Sequence, residues 1–103
     1  MGFTYVPTND HEMVIGLRKV EIDALFIFEN IWLLCEDTIK SANIKEHIRT
    51  KNEAFGEIKK NLSSFRDKLV ELFPDKADLL NRYDTGRIKV YGLYVSREEV
   101  SLS

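Results

Sequence analysis

Apolar residues in the first third of the chain recur at alternating intervals of four and three, which is the spacing of one face of an amphipathic helix. The positions are Met13, Leu17, Val20, Ala24, Ile27, Ile31 and Leu34. Asn9 followed by Glu12 resembles the capping box that begins many helices. The pattern predicts a first long helix over about residues 10–42, in which Glu36 and Lys40 pair across one turn.

A second stripe with the same spacing runs through the middle of the chain. It consists of Ile44, Ile48, Lys51, Phe55, Ile58, Leu62, Phe65, Leu69 and Leu72, with Lys51 as its polar exception. Asn43 and Glu46 repeat the capping-box pattern, and Pro74 cannot continue a helix. We therefore expect a second helix over about residues 44–73, followed by a short helix over about 75–83.

Both ends of the chain have strand character. Residues 3–6 are extended in pattern and stop at Pro7, and residues 87–95 are rich in β-branched and aromatic types after the turn signal of Asp84 to Gly86. We expect residues 3–6 to pair with part of 87–95, and residues 96–103 to fray.

These elements predict one domain of mainly α class. A long antiparallel helical hairpin turns near residues 41–43, with the short third helix and the small β element packed against it. A helix of about 33 residues is roughly 50 Å long, whereas a compact domain of about 100 residues has a radius of gyration of only about 13 Å. Either one of the helices breaks or bends, or the hairpin is an elongated rod, which usually recruits further helices and would favour a homodimer.

The charged interruption of the apolar run "ALFIFENIWLLC" shows where the predicted first helix meets solvent. On a helical wheel, Glu29 and Asn30 fall among the charged residues. The same sector contains a narrow second apolar stripe, formed by Ile15, Ile22, Phe26 and Leu33. Either the third helix or the strands cover this stripe, or a partner binds it; we favour a partner and predict these four residues as its interface.

Composition and targeting signals limit the choice of compartment and partner. The chain has 103 residues and a net charge of −2, so its overall charge favours neither nucleic acid nor an anionic membrane. Cys35 is the single cysteine, no signal peptide is visible, and the longest apolar run is too short to span a bilayer. We therefore expect a cytoplasmic protein without a membrane partner.

Signals for catalysis are weak. His11 and His47 have no acidic residue or histidine three or four positions later, and the glycines form no phosphate-binding loop. Cys35 is expected to be a buried, inert thiol. Glu21 lies at the edge of the predicted core; burial would suit it for acid–base work, but a rim position or pairing with a lysine or arginine is the more common outcome. We predict no catalytic residue, no metal and no cofactor.

Two functions remain open. The first is a non-enzymatic protein-interaction module, such as a small adaptor, an inhibitor, or an immunity- or antitoxin-like binder. The alternative is a nucleic-acid-binding regulator, because one flank of the predicted second helix carries Lys45, Arg49, Lys59, Lys60 and Arg66. The adjoining flank is acidic, so pairing with these acids is the competing explanation, and we prefer the interaction module.

Overall fold

The protein has a mixed α/β fold, not the mainly α fold predicted from its sequence. A computed structural model describes residues 2–9, 11–37, 44–95 and 100–102. The strands are β1 (Thr4–Val6), β2 (Glu12–Ile15), β3 (Arg18–Glu21), β4 (Ala24–Phe28), β5 (Ile31–Asp37), β6 (Lys89–Val95) and β7 (Val100–Leu102). The α-helices are α1 (Ile44–Lys60), α2 (Leu62–Leu72) and α3 (Ala77–Leu80), and Pro74–Lys76 and Thr85–Arg87 form short 3₁₀ turns.

The predicted first helix over residues 10–42 is wrong, because four consecutive strands occupy most of it. Met13, Val20, Ile27 and Leu34, one from each strand, are all buried in the core. They are seven residues apart because one short strand and its connection together contain about seven residues. Two turns of a helix contain about the same number. The regular spacing that predicted a helix is thus equally satisfied by a series of hairpins.

Five strands form one mixed sheet in the order β1-β4-β5-β6-β7, and β2 and β3 form a separate hairpin. Neighbouring strands of the sheet are antiparallel except β5 and β6, which are parallel and joined by the helices. The predicted pairing of residues 3–6 with 87–95 is wrong, since β1 pairs with β4 and two strands separate it from β6. A parallel pair needs a long crossover, and the helical segment supplies it.

Two-residue turns close the hairpins that the helix prediction missed. Gly16 adopts a left-handed φ of 63° between β2 and β3. Glu29 has a φ of 53° between β4 and β5, so the charge in the apolar run marks a turn, not the solvent face of a helix. Asn30 beside it donates from Nδ2 to the Arg87 carbonyl oxygen at 2.8 Å, which holds the start of β6 against this turn.

The predicted second helix over residues 44–73 has nearly the right outer limits, but it is two helices. The chain breaks at Asn61, whose φ of −120° and ψ of 42° are not helical. The predicted short helix over 75–83 corresponds to a 3₁₀ turn and α3. With a first element made of strands and a second broken at Asn61, the predicted helical hairpin does not form.

The core lies between one face of the sheet, the helices and the β2–β3 hairpin. Trp32 of β5 contacts Phe65 of α2 with ring centroids 6.1 Å apart, and Phe55 of α1 stacks on Tyr94 of β6 at 5.8 Å. The radius of gyration is 13.3 Å, so the domain is compact where the sequence suggested a long rod.

Some predictions fall on residues that the structure does not describe. The turn near residues 41–43, the Asn43 cap and the partner position Lys40 lie outside the described residues, as do residues 96–99 of the tail. Residues Val100–Leu102 form β7 and pair with β6 in an antiparallel register.

Candidate functional site

The sheet has an apolar face that the helices and the β2–β3 hairpin leave uncovered. Successive side chains of a strand point to opposite faces, and Leu25 and Ile27 point into the core whereas Phe26 and Phe28 point away from it. We call the outward set the outer face. It comprises Phe3, Tyr5, Phe26, Phe28, Ile31, Leu33, Tyr91 and Leu93.

One row of the outer face crosses four adjacent strands. Tyr5 of β1 is in register with Phe26 of β4, Phe26 with Leu33 of β5, and Leu33 with Tyr91 of β6. The rings of Tyr5 and Phe26 lie 5.3 Å apart, and Tyr5 and Tyr91 remain 46% and 47% exposed. A contiguous apolar surface of this kind is uncommon on a protein that works alone.

The four residues predicted as a partner interface divide between the core and this face. Phe26 and Leu33 are direct register partners on the outer face. Ile15 and Ile22 are completely buried, so they do not belong to a surface stripe. The four residues separate because this segment forms strands. Residues that would share one sector of a helix over residues 15–33 lie on opposite faces when the same segment forms a sheet and a hairpin.

The second feature is a buried carboxyl group in the middle of the fold. Glu36 of β5 points inward and is 2% exposed. The Nζ atom of Lys51 on α1 lies 3.1 Å from Glu36 Oε1 and donates to the Glu21 carbonyl oxygen at 2.8 Å. Tyr94, the register partner of Glu36, donates its hydroxyl to Asn52 on the same helix.

Burial is the main cause that raises the pKa of Glu36 to about 8. A hydrogen bond with Asp23 raises it further, and the Lys51 ammonium lowers it. The carboxyl is therefore mostly protonated at neutral pH and is shared between Asp23 and Lys51. This arrangement links α1 to the sheet and to the turn before β4.

The carboxylate considered for burial from the sequence, Glu21, lies at the rim, which was the more common outcome expected for it. Glu21 is exposed, and its backbone rather than its side chain meets Lys51. The missed residue, Glu36, follows the apolar run in a strand where Trp32 and Leu34 point inward. Counting in steps of two from these residues would have placed Glu36 in the core.

The five basic residues proposed for nucleic acid are spread over α1 and α2, and two of them have partners within the molecule. Arg49 pairs with Glu46 and Glu53, and the Nη1 atom of Arg66 donates to the Tyr83 carbonyl oxygen at 2.6 Å. Lys45 is exposed near the start of α1, about 20 Å of helix away from the other end. Lys59 and Lys60 line a common groove at the break between α1 and α2.

Cys35 is free and buried, as the sequence predicts. Burial raises the pKa of the Cys35 thiol, and the neighbouring Glu36 adds to the shift. Within the described ranges, no group of three or more His, Cys, Asp or Glu side chains is placed to hold a metal ion. A raised thiol pKa disfavours the reactive thiolate, so this cysteine has no feature of a nucleophile.

No helix in the described part of the chain is long and apolar enough to cross a membrane. No protein-family model, curated protein or solved structure matches the chain.

Proposed function

We propose that this protein is a non-enzymatic interaction module that works as a homodimer, in which the outer faces of two copies pack against each other. The observation that carries the proposal is the row of Tyr5, Phe26, Leu33 and Tyr91 across four strands. Two sheets that stack face to face bury such rows at a separation of about 10 Å.

The composition of the outer face supports a second copy as the partner. A sheet with one solvated face normally alternates apolar and polar residues, whereas all eight outer-face residues are apolar or aromatic. In the described register rows, charges enter at opposite ends of β5, at Lys89, which pairs with Ile31, and at Asp37, which pairs with Val95. The centre of the face is self-complementary, because a second copy brings no like charges to the middle of the contact.

The size of the face also fits a dimer. The five strands contain 25 residues, which at about 3.3 Å per residue and about 4.8 Å between strands cover on the order of 400 Å² in plan, before the projecting side chains add accessible area. A stable interface buries about 800 Å² of accessible surface per partner. The proposed dimer suits the cytoplasm, where the single thiol of Cys35 stays reduced.

The proposal is tested by light scattering on a sizing column over a concentration series, with the wild type and a Leu33→Asp variant. We expect a mass near twice 12.0 kDa for the wild type and a monomer for Leu33→Asp, since the new charge lies in the middle of the row. Leu17→Asp is the matched control, because Leu17 is fully exposed at the tip of the β2–β3 hairpin and should leave the mass unchanged.

The neighbouring variant Leu34→Asp separates a surface effect from unfolding. Leu34 points into the core and is completely buried, so this variant should lose its fold by circular dichroism, whereas Leu33→Asp keeps it. A wild type that is monomeric at every concentration, or a Leu33→Asp variant that stays dimeric, would contradict the homodimer.

We do not extend the proposal to a nucleic-acid-binding regulator. Arg49 and Arg66 are engaged within the molecule, and Lys45 lies far from Lys59 and Lys60. The two remaining lysines, Lys59 and Lys60, line a groove whose size suits a smaller ligand.

A further inference from the structure

Two adjoining grooves run along the junction of α1 and α2, on a different part of the molecule from the buried Glu36 and its partner Lys51. The first, of about 410 Å³, is lined by Lys59, Lys60, Asn61, Leu62, Ser63, Ser64, Thr85 and Gly86. The second, of about 300 Å³, is lined by Lys59, Leu62, Thr85, Ile88, Lys89, Val90 and Tyr91. Since they share three residues, they form one continuous site, which we call the junction groove. Its volume is in the range of small-molecule sites.

The charge of the junction groove is one-sided. Three lysines line it and no acidic residue does, although the chain has more acidic than basic residues overall. Lys59, Lys60 and Lys89 form no ion pair with any described residue. Some basic side chains elsewhere on the described surface are paired, such as Arg18 with Glu53 and Lys68 with Glu71, whereas Lys45 and Arg82 form no ion pair with a described residue. The groove therefore concentrates positive charge that the protein itself does not neutralise.

Hydroxyl groups accompany the lysines at one end. Ser63 and Ser64 from α2 face the same groove as Thr85 from the 3₁₀ turn that precedes β6. Ammonium groups together with hydroxyl donors suit an oxyanion with several acceptor oxygens, and phosphate is the usual ligand of this kind.

The other end of the junction groove carries most of its apolar side chains, with Lys89 beside them. Leu62, Ile88, Val90 and Tyr91 line it, and Ile88 is itself buried against the core. A site with a cationic end and an apolar end fits a ligand with the same two parts. We propose that the junction groove binds a small organic phosphate, with the phosphate at Lys59, Lys60 and the hydroxyls, and its apolar or aromatic body toward Ile88 and Val90.

This inference does not depend on the homodimer. Lys59, Lys60 and the hydroxyl-bearing residues lie outside the outer face, so their variants should leave the mass in solution unchanged. Tyr91 belongs to both surfaces, so a Tyr91 variant would not distinguish ligand binding from dimer formation.

The test is an amide-resolved NMR titration of the full chain with adenosine monophosphate, inorganic phosphate, adenosine and a single-stranded decanucleotide. We expect saturable shifts at residues 59–64 and 85–91 with adenosine monophosphate, weaker shifts in the same residues with phosphate, and at least about tenfold weaker binding of adenosine. The double variant Lys59→Glu/Lys60→Glu should abolish binding. Lys45→Glu, an exposed lysine of the same helix outside the groove, should retain it.

Three results would overturn the assignment. The first is the absence of saturable binding of adenosine monophosphate. The second is binding that survives the double charge reversal, which would place the ligand elsewhere. The third is binding of the decanucleotide without binding of either adenosine monophosphate or phosphate, which would indicate an extended nucleic-acid surface.

Discussion

The Nζ atom of Lys51 on α1 lies 3.1 Å from Oε1 of Glu36 on β5, in the buried layer between helix and sheet. Glu36 also shares a hydrogen bond with Asp23, which precedes β4. One carboxyl group thus connects a helix, a central strand and a turn. Because burial and Asp23 disfavour its charge more than Lys51 favours it, the folded protein holds a proton there that the unfolded chain releases at neutral pH.

The first prediction concerns the pH dependence of stability. The pKa of Glu36 is about 8 in the folded protein, against 4.5 for a glutamate that the fold does not perturb. Between these values the folded state binds more protons than the unfolded state, so this group makes the free energy of unfolding fall as pH rises through the window. Urea unfolding at a series of pH values should show the decline.

The variant Glu36→Gln provides the comparison, since its amide resembles the neutral carboxyl and does not titrate. We expect its free energy of unfolding to decline less between pH 5 and pH 8 than that of the wild type. Glu21→Gln is the matched control, because Glu21 is exposed. Parallel pH profiles for Glu36→Gln and the wild type would show that Glu36 is not the titrating group.

The second prediction concerns the glycine in the middle of α1. A Cβ atom added at Gly56 meets no atom within 4 Å, so alanine fits there without displacement. Gly56→Ala should raise the free energy of unfolding by about 1 kcal/mol, because glycine is the poorer helix former. Denaturant unfolding monitored by circular dichroism measures it. A decrease in stability would mean that the backbone at this position is not helical or is closely approached.

The third prediction concerns the glycine in the β2–β3 turn. Gly16 has a φ of 63°, and an added Cβ would lie 2.6 Å from Glu57 Oε1. The flexible Glu57 side chain can move, but the left-handed backbone costs an L-residue about 1–2 kcal/mol. Gly16→Ala should therefore destabilise the protein by about that amount in thermal or urea unfolding, whereas Leu17→Ala, at the exposed neighbour, should have little effect.

The fourth prediction concerns the β4–β5 turn, where Glu29 has a φ of 53°. Replacing Glu29 by glycine removes strain of about 1–2 kcal/mol and adds backbone entropy to the unfolded chain worth about 0.5–1 kcal/mol. We expect a small net stabilisation. Glu29→Val should destabilise instead, because a β-branched residue tolerates this backbone poorly. Equal midpoints for the two variants would argue against the turn geometry.

Local signals were sufficient for the middle and the end of the chain. The helical stripe is confirmed from Ile48 to Leu69, because its apolar residues pack against a single core along two consecutive helices, whereas Leu72 is exposed. The strand predicted over residues 87–95 is confirmed as Lys89–Val95, since β-branched and aromatic residues follow a clear turn there. The break at Asn61 carries no comparably strong signal, so one helix was expected where there are two.

The first third of the chain was ambiguous for a geometric reason. Met13, Val20, Ile27 and Leu34 are seven apart, which describes either two turns of helix or one short strand with its turn. The turn positions Gly16 and Glu29 were the evidence against a helix, together with the density of β-branched residues. The same seven-residue spacing is why Phe26 and Leu33, predicted as one helical stripe, are cross-strand neighbours on the outer face.

The functional features divide in the same way. The amino-acid pattern was enough to recognise a second set of apolar residues beside the core set, the burial of Cys35, and the concentration of basic residues in the helical segment. The local sequence pattern could not predict which residues from distant elements are in contact. The uncovered face needs four strands in register, the Glu36–Lys51 contact joins positions fifteen residues apart in sequence, and the junction groove brings residues 59–64 next to 85–91. Such contacts depend on packing between elements, because backbone propensity acts only over a few neighbouring residues.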